Sequence, residues 1–196
     1  MNHIQKLAAA LVLSSVAISS AYADSNFQTG AVGTGLTATT HLDFQIIIPK
    51  FISFQLGTAG ATVDMVTFTV PAANVGNGTA VAGVNSGSNP VPVTIQSNNG
   101  NVSLVGTTAG ALKDAAGDTI SFSQINSTSA APAALPAPIL VDGAASTAVT
   151  VPATNKVVNT STTWTFAYAN SAIVPVGTYG GANINNSRVT YTASLP

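Results

Sequence analysis

Cysteine and glutamate are both absent from the 196 residues, and charge of either sign is scarce: five Lys or Arg stand against six acids, all of them Asp. Without Cys there is no disulfide and no thiolate site for metal or redox chemistry. The chain is only 6% charged, with a net charge of −1, where an ordinary soluble domain carries roughly 25% charged residues. That leaves no basic footprint for nucleic acid, so Ser, Thr, Asn and Gly have to meet the water instead. The missing Glu and scarce Lys also remove strong helix formers, while Val, Thr, Gly and Asn abound, which points to an all-β chain. Aromatic residues make up 6%, too few for the girdles of an outer-membrane barrel.

What is present begins with an apolar run from Leu7 to Ile18, preceded by His3 and Lys6 and followed by the small-residue box Ala21-Tyr22-Ala23. This order predicts a secretory signal peptide over residues 1–23, cleaved after Ala23; the run is too short to span a bilayer. Residues 24–35 read as a flexible N-terminal segment, and 36–196 as a single domain with no transmembrane segment. Disulfides are available to an exported protein, so a chain without Cys must hold its fold by core and strand ladders alone.

The clearest period runs from Leu36 to Leu56. Even positions include Leu42, Phe44, Ile46, Ile48, Ile52, Phe54 and Leu56, whereas His41, Asp43, Gln45, Ser53 and Gln55 fall on odd ones. This is the period-2 signature of chain covered from one side. Twenty-one residues exceed one ordinary strand, and Pro49 with Lys50 places a break there, giving two strands joined by a kink. Further strands are expected at Val63–Val70, Thr119–Ile125, Val149–Val151, Thr162–Ala169 and Arg188–Leu195, and an extended loop at Ser127–Pro138. Val93–Ser97 and Val102–Val105 flank Asn98-Asn99-Gly100-Asn101, which predicts a hairpin because Asn and Gly tolerate positive φ. About ten short strands separated by Gly, Pro and Asn turns predict an antiparallel β-sandwich.

Little in the sequence supports catalysis, so no enzyme activity is expected and no cofactor is implied. His41, the only histidine after the leader, shares a strand face with Asp43, yet no Gly-x-Ser-x-Gly elbow accompanies them. Asp114 and Asp118 lie close enough for a carboxylate pair or a weak Ca²⁺ site, though the residues between them are those of a turn. The remaining acids, Asp24, Asp64 and Asp142, are scattered.

The segments 164–170 (WTFAYAN), 175–181 (PVGTYGG) and 188–194 (RVTYTAS) resemble the closing strands of bacterial secreted immunoglobulin-like sandwiches, including chaperone-usher pilus subunits and spore-coat-U-like proteins. The resemblance implies an immunoglobulin-like Greek-key sandwich and an exported, cell-surface or extracellular structural or adhesive role, such as a fimbrial filament subunit assembling by strand addition. It implies as partners other subunits, self or pilin-like, meeting through sheet edges. Pilin domains usually carry a disulfide, and this chain departs from them in having no Cys. The alternative function is a carbohydrate-binding, lectin-like module for surface glycans, with Trp164, Tyr179 and Tyr191 as the available aromatic platforms.

Overall fold

In the computed structural model, residues 25–60 and 62–196 are described; the leader predicted over residues 1–23 lies outside them. The chain divides into two units with the boundary between Ile48 and Pro49. Residues 25–48 carry neither strand nor helix. A turn at 32–33 is closed by Thr34, whose N–H and hydroxyl both donate to the Ala31 carbonyl at 3.2 and 2.8 Å. The strand expected over residues 36–48 is therefore not formed.

The regular structure of the second unit, from Pro49 onward, is almost all antiparallel β-strand, with helix confined to two three-residue 3₁₀ turns among the described residues. In chain order its strands are β1 (Ile52–Leu56), β2 (Val66–Thr67), β3 (Val81–Ala82), β4 (Val84–Asn85), β5 (Val91–Ser97), β6 (Val102–Thr108), β7 (Leu112–Lys113), β8 (Thr119–Ile120), β9 (Ile125–Ser129), β10 (Val149–Val151), β11 (Val158–Tyr168) and β12 (Val189–Ser194). One sheet runs β1-β5-β11-β3, with β9 also on β11; the other runs β10-β6-β12. Two small two-stranded ladders, β2 with β4 and β7 with β8, complete the body.

The two larger sheets face one core. Val93 and Ile95 of β5 meet Val102 and Leu104 of β6, Val151 of β10, and Val158 and Trp164 of β11, each no more than 2% exposed. Alternation makes this possible, because residues two apart on each strand point the same way and every second one can be apolar. Gly106 is opposite Tyr191 in the β6–β12 register. A Cβ there would sit 3.2 Å from the Tyr191 ring and 3.1 Å from Leu140, so glycine is what lets that ring lie over the strand.

Several sequence expectations hold, with altered bounds. β10 coincides with the predicted strand, β12 falls one residue inside each end of its own, and β11 begins earlier than predicted, at Val158. Only Val66–Thr67 of the 63–70 strand enters a ladder, and the 119–125 strand is interrupted by the 3₁₀ turn at Phe122–Gln124.

Two expectations are corrected. The Asn-Gly segment is a turn, with Gly100 at φ +93, but β5 and β6 do not pair with each other. The turn's polar groups bond elsewhere: Asn98 Oδ1 accepts from Phe51 N–H, Gly100 N–H donates to the Lys156 carbonyl, and Asn101 Oδ1 accepts from Ala153 N–H. The chain thus crosses from one sheet to the other instead of doubling back within one. In the predicted loop at Ser127–Pro138, Ser127, Thr128 and Ser129 complete β9. The hydroxyls of Ser127 and Ser129 then donate to the carbonyls of Pro138 and Leu135 and hold the Pro-rich stretch against the strand.

Candidate functional site: an uncovered arm and an open sheet edge

The largest anomaly of the first unit is its apolar face. Phe44 is 86% exposed, Ile46 85%, Ile48 75% and Leu42 76%, and Ile47 on the opposite face is 81% exposed. Single exposed apolar residues are normal on a surface, but a contiguous set at strand spacing is the mark of an interaction segment. His41 and Asp43 stand exposed on the same stretch. The period read from the sequence is intact, and what is missing is a ladder to use it.

The second unit has an open strand edge. β12 bonds to β6 along one side and ends the β10-β6-β12 sheet, so its other edge has no strand beside it among the described residues. Its inward residues Val189, Tyr191 and Ala193, with Leu195 just beyond, are half-buried, while Thr190, Thr192 and Ser194 face out. Tyr191, Ala193 and Leu195 pack on the main core, as do Phe54 and Leu56 of β1, which is itself the end strand of the facing sheet. Trp164, fully buried, has its ring centroid 5.5 Å from that of Tyr191. Burial pushes the Tyr191 hydroxyl well above its ordinary range.

The end of the body where β12 finishes is also where its first residues lie. Lys50 Nζ donates to the Pro196 carbonyl at 2.6 Å, and Asn98 Nδ2 donates to the Pro49 carbonyl at 2.7 Å. The loop that precedes β12, residues 171–187, lies at the other end. It follows the end of β11 that pairs with β3 and β9, while the start of β11 pairs with Ser97 beside Asn98.

The remaining candidates are accounted for by structure. Asp114, 8% exposed, accepts from the N–H groups of Ala116 and Asp118 at 2.9 and 2.8 Å through one oxygen, so its carboxylate closes the turn that leads into β8. Among the described residues no group of three or more His, Cys, Asp or Glu is gathered for a metal. Trp164 is wholly buried and its indole N–H points to the Leu135 carbonyl at 3.4 Å, which removes it as a glycan platform. Tyr191 packs on that core, and Tyr179, half-buried, donates its hydroxyl to Pro175 at 2.8 Å. Desolvation and the nearby carboxylates of Asp114 and Asp118 raise the Tyr179 pKa. Asp64 accepts from Asn85 Nδ2 and Thr58 N–H, both at 2.9 Å, and these bonds hold its carboxyl below the usual range. Sequence reasoning passed over Asn170, which is 1% exposed at φ +50. Its side chain accepts from Gly76 N–H and donates to the Asn74 carbonyl, pinning the 74–79 loop.

The described residues contain no helix long and apolar enough to cross a membrane. No protein-family model, no curated protein and no solved structure matches this chain.

Proposed function

We propose that this protein is an exported structural or adhesive subunit, non-catalytic, that joins its neighbours by strand addition. The observation that carries the reading is the exposure of Leu42, Phe44, Ile46 and Ile48 on one face of an arm that belongs to no sheet. Covering such a face stabilises by roughly 1.5–3 kcal/mol per large apolar side chain. Ordering the backbone opposes it by roughly 1–2 kcal/mol per residue. One or two anchors would not overcome that cost; four anchors together with a ladder of backbone bonds, each contributing about 0.5–1.5 kcal/mol, do. An exposed sheet edge supplies that ladder, which is why uncovered edges invite additional strands. The low charge supports the same reading, since neutral subunits pack with little mutual repulsion. The immunoglobulin-like, pilin-related architecture belongs to this proposal and is favoured by the two-sheet body and the 164–194 segments.

The test is to produce residues 24–196 and examine the protein for heat-resistant ladders on denaturing gels and for fibres by electron microscopy. Ladders that disappear when residues 24–48 are deleted are expected. A strictly monomeric protein, identical with and without those residues, overturns the reading.

A further inference from the structure

We infer that Asn99 is a modification site built into the crossing between the two sheets, where the backbone of Gly100 converts the Asn99 side-chain amide to a carboxylate with water as the only co-reactant. The inference stands independently of the strand-addition reading.

The chemistry is that of an Asn followed by a Gly. Once the glycine nitrogen has lost its proton to solvent base, it attacks the side-chain carbonyl carbon of the Asn. The new C–N bond closes a succinimide ring, and the side-chain nitrogen leaves as ammonia. Water then opens the ring at one carbonyl or the other. One opening gives aspartate; the other gives isoaspartate, whose backbone runs through the side chain and is longer by a methylene. Glycine favours the attack because it has no Cβ to shield its nitrogen.

The sequence holds two Asn-Gly pairs, Asn77-Gly78 and Asn99-Gly100, and the fold treats them differently. Gly78 N–H donates to the Asn170 carbonyl at 2.9 Å. The Asn77 side chain is held as well, its Oδ1 accepting from Thr79 N–H at 2.8 Å and from Asn170 Nδ2 at 3.3 Å. Asn170 is 1% exposed, so this lock has a buried anchor. At the other pair Gly100 N–H donates to the carbonyl of Lys156, an exposed residue, at 2.9 Å. Asn99 is itself exposed, and its carboxamide has no hydrogen-bond partner among the described residues. Shielding does not decide between the pairs, because a Cβ on either glycine would meet nothing within 4 Å. Ring closure therefore has one bond to break at Asn99 and three at Asn77, and the two extra bonds make the freed Asn77 roughly tenfold rarer or more. The ties beside Asn99 give the modification its consequence: Asn98 Oδ1 accepts from Phe51 N–H and Asn101 Oδ1 from Ala153 N–H. A methylene added between residues 99 and 100 lengthens the crossing, so these ties and the Gly100 to Lys156 bond cannot all be kept. Isoaspartate at 99 thus loosens the entry to β1 and the segment that leads into β11.

The test ages the folded chain in mildly alkaline buffer and maps its peptides by mass spectrometry, with the same chain in denaturant as the reference for intrinsic reactivity. In denaturant the two pairs are expected to convert at similar rates. In the folded protein Asn99 is expected to convert at least ten times faster than Asn77. Conversion of Asn77 as fast as Asn99 in the folded protein overturns the selection of one pair by the fold, and an Asn99 that stays intact there overturns the site. The isoaspartyl fraction should melt several degrees below the variant Asn99→Asp, which carries the same charge on a backbone of ordinary length. Equal melting temperatures overturn the loosening of the crossing.

Discussion

Residues 36–48 and residues 52–56 are two halves of one alternating run, yet they meet opposite fates. Residues 52–56 form β1, hydrogen-bonded to β5 over five residue pairs, with Phe54 and Leu56 packed on the core. The first half has the same alternation and apolar side chains of the same size at 44, 46 and 48, and these are left to solvent. The difference lies in what surrounds them. β1 has β5 as its ladder partner, whereas the residues before the Pro49 break pair with no strand among the described residues. A period-2 pattern reports that a segment needs cover on one face; it is silent about whether the cover belongs to the same molecule.

That contrast separates two kinds of substitution, and the most disruptive changes should fall in the arm for assembly and in the body for stability. Ile46→Asp is expected to reduce assembly at least a hundredfold, read by sedimentation, because a carboxylate would have to be desolvated at the centre of the new strand. Its melting temperature should stay within a degree of the parent. A large drop in melting temperature would mean that the arm is already part of the folded body. Trp164→Ala, in contrast, should cost about 3–5 kcal/mol in chemical denaturation, the usual cost of emptying a buried aromatic site. It removes the ring that supports both Leu135 and Tyr191. A cost under 1 kcal/mol would contradict the core described above.

Smaller effects sharpen the same division. Asn170→Ala should destabilise by about 2–4 kcal/mol, since it leaves the Gly76 N–H and the Asn74 carbonyl without their buried partner. Its assembly should persist wherever the protein is folded. Asp64 gives the mildest prediction. Its pKa is lowered in the folded state by Asn85 and Thr58, so its contribution is present above the unfolded value near 3.8 and lost as pH falls through the lower folded value. Stability of the parent should therefore fall more steeply below about pH 4 than that of Asp64→Asn, and parallel pH profiles would refute the assignment.

How much of this was legible in the sequence depended on whether the signal was local. Period 2 marked β1, β11 and β12, because each strand's inward row is written in its own residues. Turn chemistry at Asn98–Asn101 was also legible, and Gly100 takes the positive φ expected of it. Which strands that turn joins was not, because the decision rests on bonds to Phe51, Lys156 and Ala153, residues distant in the chain. The Pro-rich segment from 127 misled for a related reason: two serine hydroxyls convert an apparent loop into a strand and its strap. Trp164 carried an ambiguity between core and glycan platform that only its burial resolves. The alternation of residues 36–48 was legible, but the strand expected from it is not formed, since none of these residues enters a ladder.

Hydrogen exchange of the backbone amides of residues 42–48, followed in dilute monomer and in concentrated assembled protein, tests the central claim most directly. The account predicts exchange near the unprotected rate in the monomer and strong protection on assembly. Amides of 42–48 that are equally protected in both samples, or equally unprotected in both, would contradict it.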